Sequence, residues 1–471
     1  MEVKDLVRVF VKGGILTPAD FLKVLLTAEK AGATCIHFGS RQDILFPASE
    51  SAKGHLEDLF ESLPFEYEIN TFTYQNVLSS YVSLDILPGK KWLASHIYHR
   101  VIESLDYRPK LRINVVDPSQ SLVPLFTGHV NFVASNTENF WYVYLRFQQI
   151  QNVPGQMPLL VFTEDLSKLA KALEDLDLQA YSSYSALFEY LTSNVKLNTQ
   201  PVTEDLLLPE PYFSYYEGLH RQVDEKYWLG LYWRDNNYKI RILKAMAERS
   251  ISTEVGHITL TPWKSFVIKG IAEKDRLGWE KLMGKFGMNL RHSSLELNWH
   301  LPALDKEALD LKFYLVREMD QKDVSTYGLT FTIKTKSDVG LFTSVVIEKV
   351  EDEPGLYNIL YSKNFNPNLT EYFFYAKKVH KSVLAALILE LTLVYYDSLN
   401  EEKNNSSKIE QIKNHMSQDM YQCSKCMTVY DANYGDPSAG IAPSIGFINL
   451  PADYICPTCG AAKSSYQKMK L

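Results

Sequence analysis

Two short cysteine pairs near one end of this 471-residue chain constrain its folding more than any other feature. Cys423 and Cys426 sit in YQCSKCMTVY, and Cys456 and Cys459 in DYICPTCGAAK. Each C-x-x-C turn can aim two thiolates at one point. Two such turns supply a tetrahedral sulfur site that suits zinc or iron. A segment with this pattern is expected to fold around its ion. The first 422 residues contain one cysteine, Cys35, so the sulfur chemistry is confined to the tail.

The tail is set apart by LNEEKNNSSKIEQIKNHMSQD, a polar stretch with little to bury, read as a linker over 401–419. What precedes it is too long for one domain at roughly 150 residues each. Over the whole chain, 46% hydrophobic and 22% charged residues are the balance of a globular protein. A net charge of −7 without a basic stripe argues against nucleic acid as a partner. The opening MEVKDLVRVFVKGG lacks the long apolar core of a signal peptide, so a cytoplasmic protein is expected. The most apolar run, SVLAALILELTLVYY, is shorter than the roughly 20 residues a membrane span needs and contains Glu390. It is expected to be a buried helix, with no membrane partner.

The body opens on a well-marked unit. Thr17 is placed to cap a helix that begins at Pro18. Phe21, Leu22, Leu25 and Ala28 follow at helical spacing, and Gly32 can end the helix in a left-handed conformation. TCIHFGSRQDILF then predicts two strands around a turn, and SAKGHLEDLFESL a second amphipathic helix. A similar order returns later. Laying IHFGSRQDILF over ITLTPWKSFVI pairs Ile36 with Ile258, Gly39 with Thr261 and Arg41 with Trp263. The chain is therefore expected to contain two related α+β halves that join near Pro209.

Further features of the tail narrow the choice of ion. Tyr421, Tyr430, Phe447, Tyr454 and Tyr466 can fill a small aromatic core, and GDP at 435–437 and IAPSIGFINLP supply turn chemistry. Together these residues closely resemble rubredoxin over 420–466. The resemblance implies one iron ion held by Cys423, Cys426, Cys456 and Cys459, passing one electron between ferric and ferrous states. Zinc in the same thiolates would be a structural staple, since zinc has no accessible redox step. Three positions depart from the family pattern. Met427 stands where glycine is usual in a turn that wants positive φ, Ser444 replaces another glycine, and Tyr454 stands where tryptophan is common.

The body resembles the siroheme nitrite and sulfite reductases. The resemblance rests on GGILTPADFLKVLLTAEKAG, IHFGSRQDILF, SSLELNW at 293–299, DVSTYGL at 323–329 and the two-fold repeat. It implies an α+β fold of two repeated reductase-like halves, followed by the small metal-bound rubredoxin-like β domain. The expected domains are ferredoxin-like half-domains at 1–68 and 206–300 and larger α+β domains at 69–205 and 301–400, then the linker and a rubredoxin-like domain at 420–471. Members of that family hold a four-iron cluster through four cysteines. The stretches where such loops could fall, 114–126 and 332–342, contain none. Because a cluster needs thiolates, none is expected in the body. Arg41, on the family's Arg-Gln motif, is the candidate contact for the carboxylates of siroheme, with Lys90, Lys91 and Arg112 also available. Cys35 reads as a small buried hydrophobe, His96 and His99, three apart, as ordinary polar residues, and His37 and His129 stand alone.

The preferred reading is a one-electron carrier whose body is a scaffold without its own cluster and without siroheme. Its expected partner is a redox protein, either a nitrite or sulfite reductase or the reductase that feeds one. One alternative is a siroheme-binding oxidoreductase fed by its own tail. Another is a structural protein stapled by zinc.

Overall fold

The computed structural model describes residues 5–61, 63–151, 153–210, 212–222, 224–290, 295–323, 325–336, 342–404, 421–430, 432, 435–443 and 445–468. Of the expected linker, 401–404 close the helix Lys381–Asn404 instead, while 405–419 and Ser444 lie outside the described residues.

The opening unit forms as its sequence dictates. Thr17 accepts a hydrogen bond from the Asp20 amide at 3.1 Å, capping the helix Pro18–Lys30. Gly32 follows at φ 87°, a conformation that costs glycine nothing. The strands Cys35–Phe38 and Ile44–Ala48 form the predicted hairpin. The second helix is shorter than expected, α-helical over Leu56–Phe60 after an irregular 3-10 start.

The same unit recurs in the second half as the helix Ile240–Ser252 and the strands His257–Leu260 and Ser265–Ile271. The two copies are interlocked. Leu16 pairs with Ile258 in the second sheet, while Tyr238 pairs with Ile36 in the first. Each half thus lends a two-residue strand to its neighbour. Asn236 fixes the exchange by accepting from the Phe38 amide and donating to the Phe38 carbonyl, both at 2.9 Å. One apolar core runs through both halves, from Val7 and Phe46 to Phe266 and Ile268.

Each half feeds a larger mixed sheet. In the first, strands Leu78–Ser79, Ile113–Val116 and Val130–Ala134 are parallel, and Phe140–Leu145 and Leu159–Phe162 continue antiparallel. In the second, Trp299–His300, Phe331–Lys334 and Val345–Lys349 are parallel, then Leu356–Ser362 and Tyr372–His380 antiparallel. Sharing this uncommon order, the two large domains extend the repeat beyond the small units. The halves differ at one edge. Tyr67–Ile69, which comes after its unit, edges the first small sheet, whereas Gly218–Arg221 precedes its unit and edges the second.

The apolar run around Glu390 corrects one expectation. It is part of a helix, Lys381–Asn404, that is buried on one face only. Leu384, Ile388, Leu391 and Tyr395 enter the core, while Val383, Leu393 and Val394 face out, Leu393 being 58% exposed. The second large sheet and the helix Lys306–Asp320 pack against one of its stripes. The segment Lys381–Leu399 is long and apolar enough to cross a membrane by length and composition.

Candidate metal centre

The tail is a three-stranded sheet, Val429–Tyr430, Tyr421–Cys423 and Tyr466–Lys468, with two cysteine turns at one end. The turns repeat each other bond for bond. The Met427 amide donates to the Cys423 carbonyl and the Cys423 amide to Thr428, each at 2.8 Å. In the second turn Gly460 donates to Cys456 and Cys456 to Ala461, also at 2.8 Å. Both turns close on a left-handed residue, Met427 at φ 63° and Gly460 at φ 69°. The positive φ expected at Met427 is therefore present, carried by a side chain that glycine would spare.

This geometry brings the four sulfurs together. Cys423 Sγ lies 3.7 Å from Cys459 Sγ, and Cys426 Sγ 3.5 Å from Cys456 Sγ. All four are within 4.8 Å of one another. Metal–sulfur bonds of about 2.3 Å give a tetrahedron with edges near 3.8 Å, so the donor set fits one tetrahedral ion. Cys423 and Cys456 are fully buried, and the other two reach the surface in part. Burial pushes the Cys459 thiol up to about 12 and raises Cys456 as well. At Cys426 burial acts the same way, but hydrogen bonding with Thr428 outweighs it and brings the thiol to about 7. A metal binding near neutrality therefore displaces protons.

An aromatic core holds the turns in place. Tyr421 stacks on Phe447 at 4.2 Å, and Tyr430, Tyr454 and Tyr466 pack around the same ring. Tyr454, the departure from tryptophan, uses its hydroxyl to donate to Asp436 Oδ2 at 2.8 Å. Asp436 also accepts from the Ser438 amide, which orders the GDP turn. Gly435 is at φ 66°, and a Cβ there would stand 2.5 Å from two backbone oxygens.

In the body, Arg41 is heavily engaged. Its guanidinium donates to Asn114 Oδ1 at 2.7 Å and to the carbonyls of Asn76 and Ile113 at 2.8 Å. Burial lowers its pKa to about 9, and neighbouring Arg112 adds to the effect. Lys90 instead bonds Asn136, and Lys91 is exposed. Sequence reasoning treated His129 as isolated and passed over Arg146. Burial and the charges of Arg112, Arg41 and Arg146 push His129 down to about 4. Loops distant in sequence gather this cationic cluster; the Arg-Gln motif pointed to Arg41, but no linear motif announces Arg146 or His129. The two stretches without cysteine meet at Trp263. Its Nε1 donates to the Leu122 carbonyl at 2.7 Å, and its ring lies 5.7 Å from Phe342. Cys35 is partly buried on its strand, while His99 and His257 pack beside Tyr81.

The tail also touches the body. The Arg221 amide, on the free edge of the Gly218–Arg221 strand, donates to the Pro457 carbonyl between the second pair of cysteines, at 2.9 Å. The Arg221 side chain lies over Gly460, where a Cβ would stand 2.3 Å from Nη1.

A compact aromatic-cored domain with four converging thiolates defines a mononuclear metal–thiolate module on a large α+β body. Residues 420–466 match the Rubredoxin family model, and through this domain the chain belongs to the rubredoxin family. The rubredoxin of Megasphaera elsdenii is 47% identical over 51 residues, 11% of this chain and 96% of that protein. The high molecular weight rubredoxin of Moorella thermoacetica is 43% identical over 60 residues, 13% of this chain and 26% of its own length. The chain thus matches about a quarter of that longer relative. The body has the fold of the Mycobacterium tuberculosis NirA protein. The structures align with a TM-score of 0.60 over 82% of this chain and 79% of the other, at 15% identity. The expected C-terminal rubredoxin domain is thereby shown, and the expected α+β body has the NirA fold.

Proposed function

We propose that this protein carries single electrons on its C-terminal domain and that the reductase-like body positions that domain for a redox partner. The observation that carries the proposal is the convergence of four cysteine sulfurs within 4.8 Å in a rubredoxin domain. An iron ion bound there supplies a one-electron ferric–ferrous couple. Cys423 and Cys456 would hold it from the interior, and Cys426 and Cys459, which reach the surface in part, would bring the site within reach of a redox partner. The paired turns keep the sulfurs fixed, so little rearrangement accompanies the change of charge. The body, with Cys35 as its one cysteine, lacks the thiolates for a four-iron cluster of its own. It serves as scaffold and docking surface in the cytoplasm, and the partner is a nitrite or sulfite reductase or the reductase that feeds one.

A second reading is favoured by one observation. The positive charges of Arg41, Arg112 and Arg146 gather around His129 and would suit a carboxylate-rich tetrapyrrole such as siroheme, although the Arg41 guanidinium is buried and already donates to Asn114, Asn76 and Ile113. The test for both is an absorption spectrum of the full-length protein with iron and zinc quantified on the same sample. One iron per chain and bands that bleach with dithionite support the carrier. Added tetrapyrrole bands support the enzyme, and a colourless protein with one zinc overturns both.

A further inference from the structure

The contact between tail and body falls at the metal site itself. Pro457 lies between Cys456 and Cys459, and its carbonyl accepts the edge-strand amide of Arg221. The Arg221 guanidinium then lies across Gly460, the residue next to Cys459. Its ionic partner Glu225 is 3.9 Å away, with a side chain that is 88% exposed, and so screens it weakly. Gly460 is suited to this approach because it has no Cβ to meet the guanidinium. The equivalent position of the first turn, Met427, carries a long side chain that is 62% exposed and points a different surface to solvent.

We propose that Arg221 makes docking of the tail depend on the redox state of its metal site. This rests on the iron reading above and goes beyond it. Four thiolates around ferric iron leave one net negative charge, and around ferrous iron two. A fixed cation beside the second turn favours the more negative state. Docking and reduction are therefore linked, and the linkage is reciprocal. Reduction by a one-electron donor tightens the tail onto the Gly218–Arg221 edge, and docking raises the reduction potential. Oxidation loosens the tail and frees the second cysteine turn for an outside partner. Arg221 acts as a positioning residue, touching the turn and not the reacting partner.

The experiment is a redox titration of the iron-loaded full-length chain and its variants Arg221→Lys, Arg221→Gln and Arg221→Glu. Small-angle scattering is then recorded on the ferric protein and on a zinc-substituted form that reproduces the ferrous charge. Arg221→Gln is expected to lower the potential and Arg221→Glu to lower it further, with Arg221→Lys close to the parent. Tenfold tighter docking of the reduced site corresponds to about 59 mV for one electron. The parent shift should shrink as salt is added. The zinc form should be more compact than the ferric form, and Arg221→Glu should be extended in both. Equal potentials across iron-loaded variants, or equal dimensions of the parent zinc and ferric forms, overturn the proposal. A chain that takes up zinc and no iron overturns the iron reading beneath it.

Discussion

Gln42 and Lys264 occupy the same turn of the two halves, and both are held in the left-handed region, at φ 60° and 57°. Each is buried, and each ties its small unit to the larger domain that follows. Gln42 donates to the Ser79 carbonyl and accepts from the Ser79 amide, while Lys264 donates to the Leu301 carbonyl. Gln42 also donates to the Leu260 carbonyl of the opposite half at 2.7 Å. The turn is thus a joint of the repeat, filled by different side chains in its two copies.

Removing the Gln42 amide leaves buried backbone groups at Ser79 and Leu260 without their partner. Each such group costs about 1–3 kcal/mol. Gln42→Ala is expected to destabilise the body by about 3 kcal/mol. Urea unfolding followed by fluorescence checks this, and a change below about 1 kcal/mol would mean that the joint is dispensable.

Lys269 is buried against the Tyr81 ring and donates to the carbonyls of Tyr81 and Leu84 at 2.9 and 3.0 Å. Burial lowers its pKa from 10.5 to about 7. Between those values the unfolded chain holds a proton that the folded chain has lost, so stability rises with pH through this window. Below it both states are protonated and the cost of burying the charge is constant. Lys264, at about 7, and Lys312, at about 8, act in the same direction. The unfolding midpoint should therefore climb from pH 7 to 9, and Lys269→Met should make the climb shallower. An unchanged slope in the variant would falsify the assignment to Lys269.

Met427 closes its cysteine turn at φ 63°. A side chain in that region costs about 1 kcal/mol or more, which glycine avoids. Met427→Gly should stabilise the tail by about 1 kcal/mol. The readout is the temperature at which the metal–thiolate absorption is lost, expected to rise by a few degrees.

The tail has its own core of Cys423, Tyr430, Phe447, Tyr454 and Tyr466, separate from those of the body. Cys426→Ser removes one of four ligands and should abolish the iron absorption. The near-ultraviolet circular dichroism of the body, to which the buried Trp141, Trp263 and Trp279 contribute, should persist. Joint loss of both signals would show that the tail and body fold as one unit.

Local chemistry made several elements legible in the sequence. The cap at Thr17, the helix stop at Gly32 and the positive φ at Met427 depend on neighbours within a few residues, and all three were readable there. The four candidate cysteine ligands were equally plain, because two C-x-x-C turns admit few other uses. The pairing of Ile36 with Ile258 also came from the residues, as a pattern of apolar positions shared by two hairpins.

What the tertiary structure decided depends on residues far apart in the chain. The exchange of Leu16 and Tyr238 between the halves turns two small units into one core, and two-residue strands leave no periodic signal. The run at 382–396 is expected to be a buried helix, but its composition could not show that its packing partners cover one face only. Arg41, Arg112, Arg146 and His129 assemble from separate segments, as do Arg221 and Pro457. The sequence by itself determined the four candidate ligands and the repeat, because short-range geometry and composition suffice for both. Tertiary packing alone decided which surface the metal site faces, because that depends on which strand edge is left free when the sheets have formed.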